Sequence, residues 1–279
     1  MSFLSTGAVN YKSRIARAET LASRYAFAKE LLDFYRAVAR FQGEFYGELP
    51  NLWGKHPRTS AGEGLRAELN LPILVEPFRQ FLSLVEAHGT RPLSAEAHLL
   101  AQSSESAWAP LLEAFWKSGM IDAAEQAAGD PLAEFVARAF LLPYAEFLVS
   151  GLLPPVTPMV TCRCPCCNSL PLLGVLRPEG DGGKRYLLCS FCSQEWEFRR
   201  IFCAHCGEAT EEKLPVYVAE QFPHIRVECC DTCKRFLRTI DLTRDGNAVP
   251  LIDDLAAIPL SLWADENGYK RIQANLFGT

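Results

Sequence analysis

The sequence predicts an α+β protein: an N-terminal all-α helical domain, then tandem rubredoxin-like or zinc-ribbon β units, then a C-terminal helix. Three observations carry this. All eleven cysteines of the 279-residue chain lie between Cys162 and Cys233. Apolar residues ahead of them recur at three- and four-residue steps, the period of an amphipathic helix, whereas those among them fall in short β-type runs. Between the two textures lies Leu153-Pro154-Pro155-Val156-Thr157-Pro158, an extended, helix-breaking stretch. The expected division is a helical domain over 1–153, four-cysteine units over 159–198 and 199–245, and a helical tail over 246–279.

The first helix is expected from Ser13 to Gly47, where Leu21, Tyr25, Ala28, Leu32, Tyr35 and Ala39 form an apolar stripe. Pro50-Asn51-Leu52-Trp53-Gly54 reads as its end. A second helical pattern starts near Glu63, breaks or kinks at Pro72 or Pro77, and stops at His88-Gly89, the glycine supplying a left-handed residue. Ser94 is a candidate cap for a helix to about Lys117 that Pro110 bends or divides. Gly129-Asp130-Pro131 is the best start signal, an acceptor at the cap followed by proline in the first turn. The aromatics of this half, among them Phe41, Phe45, Phe78, Phe81, Trp108 and Trp116, read as core packing. Short strands are expected at Tyr186-Leu187-Leu188, Trp196-Glu197-Phe198, Val216-Tyr217-Val218 and Ile225-Arg226-Val227, and a last helix at about Leu251 to Asn267.

Hydrophobic residues make up 49% of the chain, enough to build cores without covalent staples. No apolar run is long enough to cross a membrane and the first residues lack the pattern of a secretory leader, so a cytoplasmic protein is expected. The formal net charge is −5, and residues 158–245 carry twelve Lys/Arg against twelve Asp/Glu. Thiolates bound to a metal add further negative charge, so nucleic acid and anionic membrane are not expected as partners.

In a reducing compartment clustered cysteines point to metal rather than to disulfides. Eight of them form pairs with two intervening residues: Cys164/Cys167, Cys189/Cys192, Cys203/Cys206 and Cys230/Cys233. That spacing lets one tight turn aim two thiolates at one ion while peptide N–H groups support the sulfurs. Between the first two pairs lie 21 residues, between the last two 23, and only ten separate Cys192 from Cys203. Knuckle, hairpin-length spacer, knuckle is thus written twice, as in an internal duplication holding two ions, Fe or Zn. A cross-brace, joining the first pair to the third and the second to the fourth, is the alternative. Asn168 and Gly207 follow their knuckles where left-handed backbone is needed.

Cys162, Cys166 and Cys229 are left over and read as bystanders. His205 and His224 read as surface residues, and His56, His88 and His98 carry no metal-site spacing. Closed four-thiolate sites leave no open coordination position, and no nucleotide-loop, zinc-protease or serine-hydrolase motif is present. Thioredoxin-like chemistry needs one pair at a helix start, not four among strands. No catalytic residue is assigned.

Several segments resemble one family, the formate dehydrogenase accessory proteins called FdhE. Cys164-Pro165-Cys166-Cys167-Asn168-Ser169-Leu170-Pro171 looks like that family's first cysteine motif, with Asn168 where glycine is usual. Arg185-Tyr186-Leu187-Leu188-Cys189-Ser190-Phe191-Cys192, then Glu195-Trp196, Arg200 and Cys203-Ala204-His205-Cys206, resemble its central motif, with Glu197 where histidine is common. Glu228-Cys229-Cys230-Asp231-Thr232-Cys233, Phe236-Leu237-Arg238 and the tail residues Asp253-Asp254-Leu255-Ala256, Gly268-Tyr269, Arg271 and Asn275 continue the likeness. The resemblance implies a cytoplasmic, non-catalytic maturation factor that binds the catalytic subunit of a respiratory formate dehydrogenase before twin-arginine export. It also implies rubredoxin-type iron, for which zinc can substitute. Glu195, Trp196, Arg199 and Arg226 are the expected docking residues, and a homodimer is left open. The competing readings are an iron-dependent redox or sulfur-handling maturation enzyme and a zinc-ribbon nucleic-acid-binding protein.

Overall fold

A computed structural model describes residues 9–53, 65–118, 130–150, 161–180 and 182–278. The expected connector at 153–158, the helix start near Glu63, His56 and Gly129 lie outside them.

Where one helix was expected over Ser13 to Gly47, two form: α1 (Tyr11–Arg24) and α2 (Lys29–Trp53). Between them Tyr25 is extended (φ −120°, ψ 93°) with no glycine or proline to signal it. A tertiary contact overrides the local pattern: the Tyr25 ring lies 5.0 Å from that of Phe222, and its hydroxyl donates to the Gln221 carbonyl. At the other end α2 runs through Pro50 to Trp53, beyond the expected stop.

Two 3₁₀ turns, Leu65–Ala67 and Leu71–Leu74, lead into α3 (Val75–His88). Its stop at Gly89 is where expected, for a different reason. Gly89 has φ −71°, not left-handed, but a Cβ there would sit 2.6 Å from the Val85 carbonyl oxygen. α4 (Arg91–Gln102) begins three residues before Ser94, with Thr90 at its N-cap position making no side-chain capping bond, and α5 (Glu105–Ser118) passes through Pro110. The break falls at Ser103-Ser104. α6 (Pro131–Ser150) starts as predicted, with Asp130 Oδ1 accepting from Leu132 N at 2.8 Å.

α6 is apolar nearly all round because it is the centre of the bundle. Pro143 within it has no N–H to offer the carbonyl of Ala139, and the fully buried Gln42 of α2 donates to that carbonyl instead, at 2.6 Å. Glu146, also fully buried, receives Arg14 at 2.6 Å and the Tyr11 hydroxyl, fastening α1 to α6. Removing either charge would strand the other, at a cost of about 3–5 kcal/mol.

The second half builds β1 (Pro171–Glu179), β2 (Gly182–Cys189), β3 (Glu195–Glu197), β4 (Val216–Val218), β5 (Ile225–Cys230) and β6 (Arg235–Asp241). Two helices follow, α7 (Pro250–Ala256) and α8 (Ile258–Glu266), then β7 (Lys270–Arg271). One helix was expected there; Ala257 ends the first and Pro259 opens the second. β1-β2-β3 and β4-β5-β6 are each antiparallel meanders with one knuckle before the first strand and one after the second. They do not stand as separate ribbons. Parallel pairing of β1 with β6 joins them into one seven-stranded sheet of order β3-β2-β1-β6-β5-β4, with β7 beside β6. At the junction Gly174 faces Thr239, whose Oγ1 would lie 2.2 Å from any Cβ at position 174.

One face of the sheet, with Val175, Leu188, Val227, Phe236 and Ile240, packs against α1, α7 and α8. A second core runs from Phe41, Phe78, Phe140 and Tyr144 in the bundle through Trp116 and Phe191 to the first four cysteines. Helical half and sheet thus share both cores. Among the described residues no helix is long and apolar enough to cross a membrane.

Candidate metal centres

Each knuckle is a tight turn held by its own backbone. Cys164 N donates to Ser169 O, Cys189 N to Gln194 O and Cys203 N to Glu208 O, at 2.8 to 3.0 Å. A left-handed residue follows the second cysteine of every pair: Asn168 (φ 61°), Ser193 (54°), Gly207 (79°) and Lys234 (53°). Sequence reasoning found only Asn168 and Gly207. Serine and lysine seldom adopt this backbone, so the signal there was positional, not compositional.

These turns bring the eight paired cysteines together as two groups, Cys164, Cys167, Cys189, Cys192 and Cys203, Cys206, Cys230, Cys233, each with its sulfurs within 4.8 Å of one another. Each knuckle meets its consecutive partner, not the cross-brace partner. Cross-pair Sγ–Sγ distances are 3.6 and 3.3 Å in the first group and 3.8 and 3.6 Å in the second. A disulfide would need about 2.05 Å. Four thiolates around an ion at about 2.3 Å make a tetrahedron with edges of about 3.8 Å, so the donor sets fit a tetrahedral thiophilic ion. Backbone N–H groups add support: Phe191 and Cys192 donate to Cys189 Sγ, and His205 and Cys206 to Cys203 Sγ, at 3.3 to 3.5 Å. Burial pushes the Cys164, Cys189 and Cys192 thiols well above their usual range, and Cys203 to about 11. A bound cation reverses that preference by stabilising the thiolates.

The two groups differ in their surroundings. All four cysteines of the first are buried, whereas Cys206 of the second is exposed and Cys233 half-buried. Arg66, from the helical half, reaches the first group. It donates to the carbonyls of Cys167 and Trp116 and to Ser169 Oγ, which lies 3.3 Å from Cys167 Sγ. Arg138, half-buried and donating to the Ala274 and Asn275 carbonyls, lines a small cleft with Cys189. Burial lowers both guanidinium pKa values, that of Arg138 to about 10. Four thiolates exceed the charge of a divalent ion by two, and these arginines lie where they offset the excess.

Cys229 is buried in the sheet core opposite Phe236, burial raising its thiol to about 12. Cys162 and Cys166 are half-buried beside the core shared by the bundle and the first four cysteines, outside both sulfur groups. His205 is half-buried rather than solvent-facing, and also lies outside the sulfur group. His224 is not a surface residue: it is buried, 2.8 Å from Asp253. With Asp245 it forms a third cluster that sequence reasoning missed. Arg17 donates to both aspartates there, so the cluster carries its own positive charge and ties α1 to α7.

The four expected docking residues differ in exposure. Trp196 is buried in the core, its indole N–H donating to the Thr161 carbonyl, which removes it from any docking face. Glu195 beside it forms a two-pronged pair with Arg177 at 2.8 and 2.7 Å. Arg199 is exposed, its guanidinium 5.6 Å from the Phe202 ring centroid, and Arg226, on β5 near the opposite edge of the sheet, pairs with Asp241.

Comparison with known proteins points one way. Residues 163–200 match the model of the FdhE central domain and residues 201–277 that of the FdhE C-terminal domain. A FdhE homolog of Aquifex aeolicus is 24% identical over 271 residues, spanning 94% of this chain and 93% of its own. One of Pseudomonas putida is 28% identical over 295 residues, spanning 98% and 89%. The crystal structure of the FdhE protein from Pseudomonas aeruginosa shares the fold, with TM-score 0.67 and 22% identity over 95% of this chain and 94% of that one.

Proposed function

The chain belongs to the FdhE family, and from that premise we propose that it is a non-catalytic accessory protein for the maturation of a formate dehydrogenase. In this reading it binds the catalytic subunit of a respiratory formate dehydrogenase in the cytoplasm, before export. Its metal ligands are Cys164, Cys167, Cys189 and Cys192 for one ion and Cys203, Cys206, Cys230 and Cys233 for the other.

The observation that carries the reading is the closure of the two sulfur groups. Four donors each, supported by peptide N–H groups and set at the ends of one sheet's hairpins, supply a rigid scaffold without an open position for substrate. Iron of the rubredoxin type or zinc suits such a donor set, and only iron would add one-electron chemistry. Arg199 and Arg226 are better placed than Trp196 to meet a partner, since both keep solvent exposure.

The test is capture of the dehydrogenase catalytic subunit by the purified chain, repeated with Cys203→Ser/Cys206→Ser and Cys164→Ser/Cys167→Ser variants that retain native circular dichroism. Capture by the parent chain and its loss in the folded variants are expected. Undiminished capture by both would sink the idea that the centres hold the docking scaffold. Anaerobic metal analysis with an absorption spectrum separates iron from zinc, and zinc alone would dispose of the redox alternative.

A further inference from the structure

The two meanders repeat one another by a shift along the sheet, and this makes β4 the counterpart of β1. The outer edge of β1 is covered by β6, in parallel. The outer edge of β4 has no strand beside it among the described residues. We propose that this edge, with the arginine-lined cleft beside it, takes an extended acidic segment of a protein partner as an added parallel strand.

Register identifies the groups on offer. Cys229 N donates to Pro215 O and Asp231 N to Lys213 O, so positions 213, 215 and, by alternation, 217 face β5 with their backbone groups. Val216 and Val218 therefore direct their N–H and C=O outward. The three residues Val216, Tyr217 and Val218 are 52%, 40% and 49% exposed. Lys213 and Pro215 guard the start of this edge, but Val216–Val218 carries neither charge nor proline, and an apolar edge of this kind is what natural sheets avoid leaving bare. The first unit already shows the remedy, a strand laid alongside.

Charge names the occupant. Val216 and Val218 lie opposite Glu228 and Arg226, on the face where a cleft of about 200 Å³ opens. Arg185, Arg200, Arg226 and Arg235 line it. Arg185 is engaged by Glu228 and Arg226 by Asp241, and Glu211 also stands at the rim. Arg200 and Arg235 have no carboxylate partner among the described residues. The Arg185 Nε, buried at the same cleft, has no hydrogen-bond partner there either. Cys203 and Cys230 of the second sulfur group line the cleft too, and with Glu211 and Glu228 they offset the paired arginines, so the groups left to meet an acid are Arg200 and Arg235. Side chains of an added strand alternate between faces, so every second one would enter this cleft. The others would meet Tyr217, whose ring is tilted against that of Trp263 at 4.7 Å between centroids, and the exposed Leu262. The matching segment alternates acidic and apolar residues. Main-chain bonds would supply affinity and the arginines specificity.

This inference rests on the reading of the chain as a partner-binding protein, but not on which protein that is. The probe is a fluorescein-labelled peptide of alternating Glu and Val, titrated with the metal-loaded full chain by anisotropy. Saturable binding is expected, weakened about tenfold or more by replacing Glu with Lys in the peptide. Arg200→Glu, at an exposed side chain, and Val218→Pro, which deletes one outward N–H, should each weaken it about tenfold. Equal binding of both peptides, or indifference to both substitutions, overturns the proposal. So does competition by free acetate at the peptide's own carboxylate concentration, displacement by a single-stranded oligonucleotide, or self-association that Val218→Pro abolishes. Loss of peptide binding with dehydrogenase capture intact sinks this inference alone; the reverse sinks only the proposed function.

Discussion

Arg66 lies over the ring of Phe191, its guanidinium carbon 4.0 Å from the ring centroid. Phe191 sits inside the second knuckle, so a residue of the helical half grips the first sulfur group directly. Arg66→Ala removes three hydrogen bonds and this stacking, and should lower stability by about 2–4 kcal/mol. In urea unfolding the midpoint should fall, and a chelator should strip an ion from the first group faster while release from the second is unchanged. Equal acceleration at both would show that Arg66 acts on the whole fold instead.

Exposure should separate the two groups kinetically. Cys206 is open to solvent, whereas every sulfur of the first group is buried. Release of bound metal to a chromogenic chelator is expected in two phases, the faster absent in Cys206→Ser. After metal removal Cys206 should be the first of the eight to be alkylated, read by mass spectrometry. A single release phase would contradict the assignment.

Acid should weaken the fold through Asp254. Burial alone would raise its pKa, but Arg238 at 2.8 Å and Arg271 at 2.7 Å outweigh burial and hold it below the usual carboxylate value. A carboxylate depressed in the folded state lends stability at neutral pH that is lost as pH drops below about 4. Asp254→Asn should cost about 3–5 kcal/mol at pH 7, because Arg238 is fully buried, and the loss should shrink toward pH 2. Urea titrations across pH 2 to 7 read both effects.

The junction of the two meanders depends on the missing side chain of Gly174. Gly174→Ala places a Cβ 2.2 Å from Thr239 Oγ1 and should destabilise by about 1–3 kcal/mol. The double variant with Thr239→Gly should recover much of that loss, a coupling expected only for direct neighbours. Additive losses would mean that the strands meet elsewhere.

Much of this architecture was legible locally. The Cys-x-x-Cys spacing, the Asp130-Pro131 start and the β-type runs at Tyr186, Val216 and Ile225 are short-range signals, and each lies in the element it indicated. What was illegible depends on partners distant in sequence. Tyr25 leaves the helix because Phe222 is there to meet it, and Pro143 is accommodated because Gln42 answers the carbonyl it strands. Polar residues read as surface turned out to be interior for the same reason. His224 is buried only because Asp253 comes back to it. The joining of the two meanders was hidden most deeply, since parallel pairing of β1 with β6 leaves no local mark beyond one glycine.

The left-handed turns and the shared cores also bear on when each ion can come and go. The first sulfur group lies beneath Trp116, Phe191 and Arg66, so an ion enters or leaves it only when the helices part from the sheet. The second group, with Cys206 at the surface, can be filled or emptied without that parting. One ion would then answer slowly to a change in the metal supply, and the other quickly.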